Sequence, residues 1–287
     1  MTITAITDHG LPALRLANDL GEAVVHLNGA HVTHFQPHGH QPVLWMSAAS
    51  NFADGKPMRG GVPLCSPWFG PHATDATQPA HGLVRQRRWN VVGQNELADG
   101  RSQVVLSLIS DEAMLASWPH PFTISLAVTM GSTLTLELAI RNAGSTPFLL
   151  GEALHTYFSV SDVRTIRLSG LAGVTYLDKM DGGARKVQGA EPLAISAQTD
   201  RIYLSATDTV VIDDPGLSRK ITVTKAGSGA TVVWNPWLEK AKTMADFGDD
   251  EWPGMVCVEA ANAADSIVVV PPAFTHHLTQ VITVASR

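Results

Sequence analysis

Residues 123–142, TISLAVTM-GS-TLTLELAIRN, decide the fold. Ile124, Leu126, Val128 and Met130 alternate with smaller or polar residues, and Leu134, Leu136, Leu138 and Ile140 repeat the pattern after Gly131-Ser132. Apolar residues at every second position turn one face of a strand to a core and leave the other wetter. A Gly-first two-residue link between two such runs is the signal of a type II′ hairpin. Working outward, AVVHL, VLWM, VVLSLI, FLLGEAL, TIRLSGL, TVVIDD, KITVTK, TVVWN, MVCVEA, SIVVV and QVITV are each bounded by Gly, Pro, Asn or Asp. No segment sustains a helical i, i+3, i+4, i+7 pattern over three turns, and short helical turns are expected only at DEAMLAS (111–117) and EKAKTM (239–244). The expectation is an all-β protein, a large antiparallel β-sandwich forming a single domain over residues 1–287, with no linker, repeat or low-complexity tract.

The composition agrees. Only 16% of the 287 residues are charged, against roughly 25% in soluble domains generally, while 24 glycines and 17 prolines supply turns. A net charge of −6 disfavours nucleic acid or an anionic membrane as partner, because either needs a field of Lys and Arg. A small anionic ligand held by a few local arginines stays open. Two cysteines, Cys65 and Cys257, imply no disulfide framework and fit a reducing compartment. The N-terminal MTITAITDHG lacks a basic n-region and an apolar h-region, and no aliphatic run is long enough to span a bilayer. A soluble, cytoplasmic protein is the expectation.

Several familiar chemistries have no footing: GxGxxG, GxxxxGK[ST], HExxH, CxxC and GxSxG are all absent from the sequence. His31, His34, His38 and His40 form H-x2-H-x3-H-x-H, but no acidic or cysteine partner falls in register and two of them sit in a Pro/Gly turn, so no metal or other cofactor is expected. Asp246, Asp249, Asp250 and Glu251 could pair as glycosidase carboxylates or simply form a solvated loop.

Three regions depart from β-sandwich filler. MRGGVPLCSPWFGPH (58–72) makes a poor strand and a well-defined loop. Its Arg59 could hold an anion, and Trp68 and Phe69 could present flat faces to a sugar ring or plug the core. AHGLVRQRRW (80–89) holds the one dense basic cluster. Read as a strand, it puts Arg85 and Arg87 on one face and Arg88 on the other, which suits Arg87 and Arg88 to a charge-guarded edge. His81 before Gly82 could donate to a ligand hydroxyl or cap a turn. GEALHTYFSV (151–160) and MVCVEAANA (255–263) each set one titratable residue, His155 and Glu259, in an apolar run. Such a group is either paired in the core or functional, and Glu is almost never fully buried without a partner.

In RGGVPLCSPWFGPH, AHGLVR, ALHTYF, TDRIY (199–203), WNPW (234–237) and DFGDDEWPGMVCVEAANA (246–263), taken in order, the chain resembles the glucose-6-phosphate 1-epimerases, the hexose-6-phosphate mutarotase branch of the aldose 1-epimerase superfamily. The resemblance implies a galactose-mutarotase-like sandwich (supersandwich). It implies interconversion of the α and β anomers of a hexose 6-phosphate, glucose 6-phosphate foremost, with no cofactor and a small-molecule partner only, in a monomer or weak homodimer. It makes His155 and Glu259 catalytic and Arg59, Arg85 and Asp200 substrate contacts, with His81, Trp68 and Trp237 beside them. Two departures stand out: Ala80 precedes His81 where that family often has Gln, and VEAANA replaces a VEPGN-like ending. Anomer exchange needs a proton off the C1 hydroxyl and one onto the ring oxygen. Glu259 would take the first and His155 give the second, with Arg59 and Arg85 on the phosphate. The rival readings are a neutral aldose 1-epimerase using the same pair, a non-catalytic carbohydrate-phosphate-binding protein, and a glycosidase pairing Glu259 with Asp249 or Asp250.

Overall fold

A computed structural model describes residues 3–206 and 209–287; Met1 and Thr2 of the N-terminal segment read above lie outside the described residues. The strands of residues 123–142 run Phe122–Met130 and Thr133–Asn142. Their register sets Ile124 opposite Ile140, Leu126 opposite Leu138, Val128 opposite Leu136 and Met130 opposite Leu134. All eight side chains are buried. The link differs from the expected one. Pairing of Met130 with Leu134 leaves three residues in the turn, and Gly131 does not adopt a left-handed conformation. A Cβ there would lie 2.7 Å from Cγ of Arg101, so any larger residue would have to displace that half-exposed side chain.

Around this hairpin the chain builds an eight-stranded antiparallel sheet running Arg167–Ser169, Val210–Asp214, Arg219–Ala226, Thr275–Ser286, Thr133–Asn142, Phe122–Met130, Ser102–Ile109 and Asn90–Glu96. A second sheet of eight orders its main path as Ala184–Val187, Thr175–Asp178, Thr199–Leu204, Ala230–Asn235, Met255–Asn262, Glu152–Leu154 and Leu64–Cys65, with Tyr157–Ser159 also paired to Met255–Asn262. Four N-terminal strands, Ile3–Asp8 to His31–Pro37, form a third sheet. One apolar cluster joins Leu126, Leu138 and Ile282 of the first sheet to Val233, Val258 and Ala260 of the second. The antiparallel sandwich read from the sequence is the observed architecture.

Four readings need correction. VLWM makes only isolated bridges, Leu44 to Phe158 and Met46 to Gly60, because it runs beside Tyr157–Ser159 for a single bridge and then turns to the Gly60–Gly61 loop. FLLGEAL is two strands, not one. Phe148–Leu150 pairs with Val268–Val270, Gly151 donates to the carbonyl of Pro67, and Glu152–Leu154 then joins another sheet. The second helix is Trp237–Ala241, starting after Pro236 and ahead of the expected EKAKTM. AHGLVRQRRW is not a strand: Val84–Gln86 form a 3-10 turn. The first helix lies where expected, Glu112–Ser117, with Asp111 accepting from the amide of Met114.

Leu138→Ala, at the centre of the matched apolar face, is expected to cost about 2–5 kcal/mol, read as a lowered urea midpoint. Titration of His31 gives a second test. Its ring is buried, donates from Nε2 to the Gly60 carbonyl at 2.7 Å, and has its pKa pushed down to about 3 by burial. The unfolded chain binds a proton there near pH 6.5 and the native one does not, so this stability is full above that pH and declines as pH falls toward 3. His31→Gln is expected to flatten the wild-type loss of stability between those limits, by at most about 1.4 kcal/mol per pH unit.

Candidate active site

The second sheet carries the site on its face away from the sandwich core, and strand register builds it. Glu152–Leu154 and Tyr157–Ser159 both pair with Met255–Asn262, Leu154 opposite Ala260 and Tyr157 opposite Cys257. The register is the same on either side of the break, so His155 falls opposite Glu259. Within the break, His155 donates its amide to the Pro63 carbonyl. Along Met255–Asn262 the alternation sends Val258 and Ala260 into the main core and Glu259 and Ala261 to the other face, where the Cys257 sulfur lies within 4.8 Å of Glu259. Across the next strands Val232 pairs with Glu259, Trp234 with Cys257, and Asp200 with Trp234. Two adjacent rungs thus present His155, Glu259 and Val232 beside Tyr157, Trp234 and Asp200. Behind them, Thr156 Oγ1 lies 2.5 Å from Oε1 of Gln280 on the opposite sheet, and Gln280 Nε2 donates to the Val258 carbonyl.

These side chains line a cavity of about 440 Å³ together with Arg59, Phe69, Gly70, Pro71, His81, Lys179, Lys240 and Met244. Loops bring in Arg59 and His81. Gly60 and Gly61 thread between residues 45–46 and 32–33 so closely that a Cβ would lie 2.4 Å from the Trp45 carbonyl or 2.2 Å from that of Val32. Only glycine fits, and the side chain of Arg59 is thereby aimed. Arg59 donates to the Tyr157 hydroxyl at 2.9 Å and to Asp246 at 3.1 Å. The amide of Gly70 donates to Nδ1 of His81, which leaves Nε2 to carry the proton and donate.

The titratable groups at the base of the cavity are buried. Glu259 is 1% exposed and His155 8%. Nδ1 of His155 stands 3.3 Å from Oε1 of Glu259, without the alignment of a hydrogen bond, and neither carboxylate oxygen of Glu259 has a protein partner. Burial, with Asp200 adding to it, holds the Glu259 pKa well above the ordinary carboxylate value. Burial, then His81, Arg59 and Arg85, hold that of His155 well below the ordinary imidazole value. His81 is pushed down to about 3 by burial and by the nearby Arg85 and Arg59, so it stays neutral. Burial also raises Asp200. At Arg59 burial opposes the charge, but Tyr157 and Asp246 outweigh it and the pKa rises. The His155 ring stacks on Tyr157, centroids 4.9 Å apart and planes 10° from parallel.

Of the residues singled out in the sequence, Arg59, His81, His155, Asp200 and Glu259 meet in this cavity, and Arg85, Trp68 and Trp237 are not in its lining. Arg85 donates from Nη2 to the Ala80 carbonyl. Trp68 donates to the Pro79 carbonyl and packs on His72, while Trp237 packs on Trp252. Arg87 pairs with Asp111 at 3.8 Å. Asp246 is taken by Arg59, and Glu251 accepts from Ser47 and the amide of Ala48. Tyr157 and Trp234 carry a weaker signal in the sequence, each in a short strand-like run that pairs with the site strand. Lys179 and Lys240, on a 3-10 turn and a short helix, had none.

Among the described residues, one trio offers metal-ligand atoms close together: His155, Cys257 and Glu259, all within 4.8 Å of one another. An ion there would occupy the atoms that acid–base chemistry needs free. Burial pushes Cys65 up to about 12 and Cys257 well above the usual thiol value, so both stay protonated. A larger hollow of about 590 Å³ opens on the N-terminal sheet, but its acids are already engaged, Asp8 by His26 and Glu22 by Arg15. No described helix is long and apolar enough to cross a membrane.

Gly82→Ala tests the loop clamp. Gly82 has φ +76°, and a Cβ there would collide with the Ser66 carbonyl. The variant is expected to melt measurably lower and to lose most turnover as His81 shifts, read by thermal melting and by the activity assay below.

The sequence signature of the aldose 1-epimerase family matches residues 12–282. An Escherichia coli protein named "Putative glucose-6-phosphate 1-epimerase" is 37% identical over 263 residues, 91% of this chain and 86% of that protein. A namesake from Cenchrus ciliaris is 34% identical, over 87% of this chain and 77% of its own. The crystal structure of a "putative mutarotase" from Salmonella typhimurium superposes with a TM-score of 0.93 at 32% identity, covering 100% of this chain and 94% of the other. A galactose mutarotase-like protein from Clostridium acetobutylicum, 13% identical with a TM-score of 0.76 over 99% of this chain and 98% of its own, shares the fold.

Proposed function

The chain belongs to the aldose 1-epimerase family and is a sugar epimerase, and from that premise we propose that it interconverts the α and β anomers of a hexose 6-phosphate, glucose 6-phosphate first, with Glu259 and His155 as the proton-transfer pair. The observation that carries this reading is the buried Glu259 carboxylate, without a protein hydrogen bond, in register with His155 at 3.3 Å.

Ring opening begins with Glu259 ionised and His155 protonated. Glu259 takes the proton of the C1 hydroxyl as His155 delivers one to the ring oxygen; the C1–O5 bond breaks and C1 becomes an aldehyde. The pair is now protonated glutamic acid and neutral imidazole. Rotation about C1–C2 turns the other aldehyde face inward, and reclosure returns both protons. The environment fits this cycle. A raised Glu259 is a stronger base and a lowered His155 a stronger acid, so both shifts favour the proton arrangement that ring opening produces. Each arrangement is also neutral overall, the state that burial penalises least. His81 and Asp200 orient sugar hydroxyls as fixed donor and acceptor. Phe69 and Trp234 offer apolar faces to the ring, and Arg59 binds the phosphate, converting remote binding into alignment at C1. Arg85 acts through its field on His155 rather than by contact.

Anomer exchange followed by NMR magnetisation transfer tests the reading. Glucose 6-phosphate is expected to exchange far faster than glucose or galactose, which would otherwise mark a neutral-sugar epimerase. Glu259→Gln and His155→Ala are each expected to lower kcat by about 10²–10⁴-fold with the circular dichroism of the fold retained; near-normal turnover in either removes the pair. No acceleration of any sugar would leave a binding protein.

A further inference from the structure

Arg59 is not the only cationic residue in the cavity lining. Lys179 lies on the 3-10 turn Lys179–Asp181 and Lys240 on the helix Trp237–Ala241, and both line the same cavity as His155 and Glu259. Both are exposed, and neither has an ion-pair partner among the described residues. The reason is specific. The acids beside Lys179, Asp178 and Asp181, are both held by Lys186, at 2.8 and 2.9 Å. Glu239, beside Lys240, is held by Lys242 at 3.8 Å. Two ammonium groups are thus left uncompensated at the cavity in a chain of net charge −6. Their footings are firm. Asp178 accepts from the amide of Met180 beneath Lys179. The buried Asn235 accepts from the amide of Trp237 and donates to the Trp252 and Met255 carbonyls beneath Lys240. Lys179 is also close enough to act on Asp200 and His81.

The arginines are partly engaged: Arg59 donates to Tyr157 and Asp246 and Arg85 to the Ala80 carbonyl, while the buried Nε of each has no protein partner. We propose that Lys179 and Lys240 are substrate-specificity residues, two mobile cations that close on the substrate's 6-phosphate over the fixed guanidinium of Arg59. An ammonium on a four-carbon stem suits this task, since it follows a phosphate as a mobile point charge where a bidentate fork would need a set geometry. The inference rests on the hexose-6-phosphate reading above.

The test compares wild type with Lys179→Ala, Lys240→Ala, the double variant and the two Lys→Arg variants. Its readouts are KM and kcat for glucose 6-phosphate and for glucose, and Ki for inorganic phosphate as a competitive inhibitor. Each alanine is expected to raise both the KM for glucose 6-phosphate and the phosphate Ki about tenfold. The double variant is expected to reduce the preference for glucose 6-phosphate over glucose about a hundredfold, and arginine to restore most of the loss. If the double variant keeps the wild-type KM and Ki while wild type prefers the phosphorylated sugar, the lysine clamp is wrong and the hexose-6-phosphate reading stands. A fall in kcat without a change in KM or Ki would equally overturn the clamp, since it marks a structural role. Equal turnover of glucose and glucose 6-phosphate by wild type would overturn both.

Discussion

Strand register is the constraint on which the site depends. Side chains on a strand alternate with period two, so a one-residue slip of Met255–Asn262 would carry Glu259 into the sandwich interior and put Val258 or Ala260 in the cavity. Several contacts forbid that slip. Val258 and Ala260 pack in the main core, and Gln280 reaches across from the opposite sheet to the carbonyl of Val258 while its Oε1 meets Thr156, between His155 and Tyr157. The same hydrophobic alternation that closes the sandwich therefore fixes which carboxylate faces His155.

Burying a carboxylate without a protein hydrogen bond is costly, and under the proposed reading that cost serves proton transfer. A Glu259 given two protein donors would be a weaker base; a His155 with a firm carboxylate hydrogen bond would be a weaker acid. The surroundings withhold both. They supply neutral or fixed groups instead: a His81 that stays uncharged, a Tyr157 ring stacked under His155, and guanidinium groups whose fields act on His155. Asp246 is paired with Arg59 and Asp178 with Lys186, so the charge facing the cavity includes lysines without carboxylate partners.

Much of this was written locally. Alternation over residues 123–142 specified the hairpin and its buried face, because period two is a property of the extended chain itself. A lone Glu in MVCVEA and a lone His in ALHTYF marked themselves, because a titratable residue in an apolar run needs a reason. Misreadings arose where backbone neighbours, not side-chain pattern, decide. FLLGEAL reads as one strand yet changes sheets at Gly151, and AHGLVRQRRW reads as a strand yet folds into a 3-10 turn whose His81–Gly82 step is clamped against Ser66 and Gly70.

The sequence by itself determined the antiparallel sandwich and the identity of the acid–base candidates, since both follow from residue type and spacing along one strand. Only the tertiary structure decided that His155 and Glu259, 104 positions apart, share one rung. It likewise turned Trp234 and Lys179 toward them and Trp68 and Trp237 into packing elsewhere. Those placements depend on which strands become neighbours and in what register, a matter of the whole core's packing that no single segment encodes.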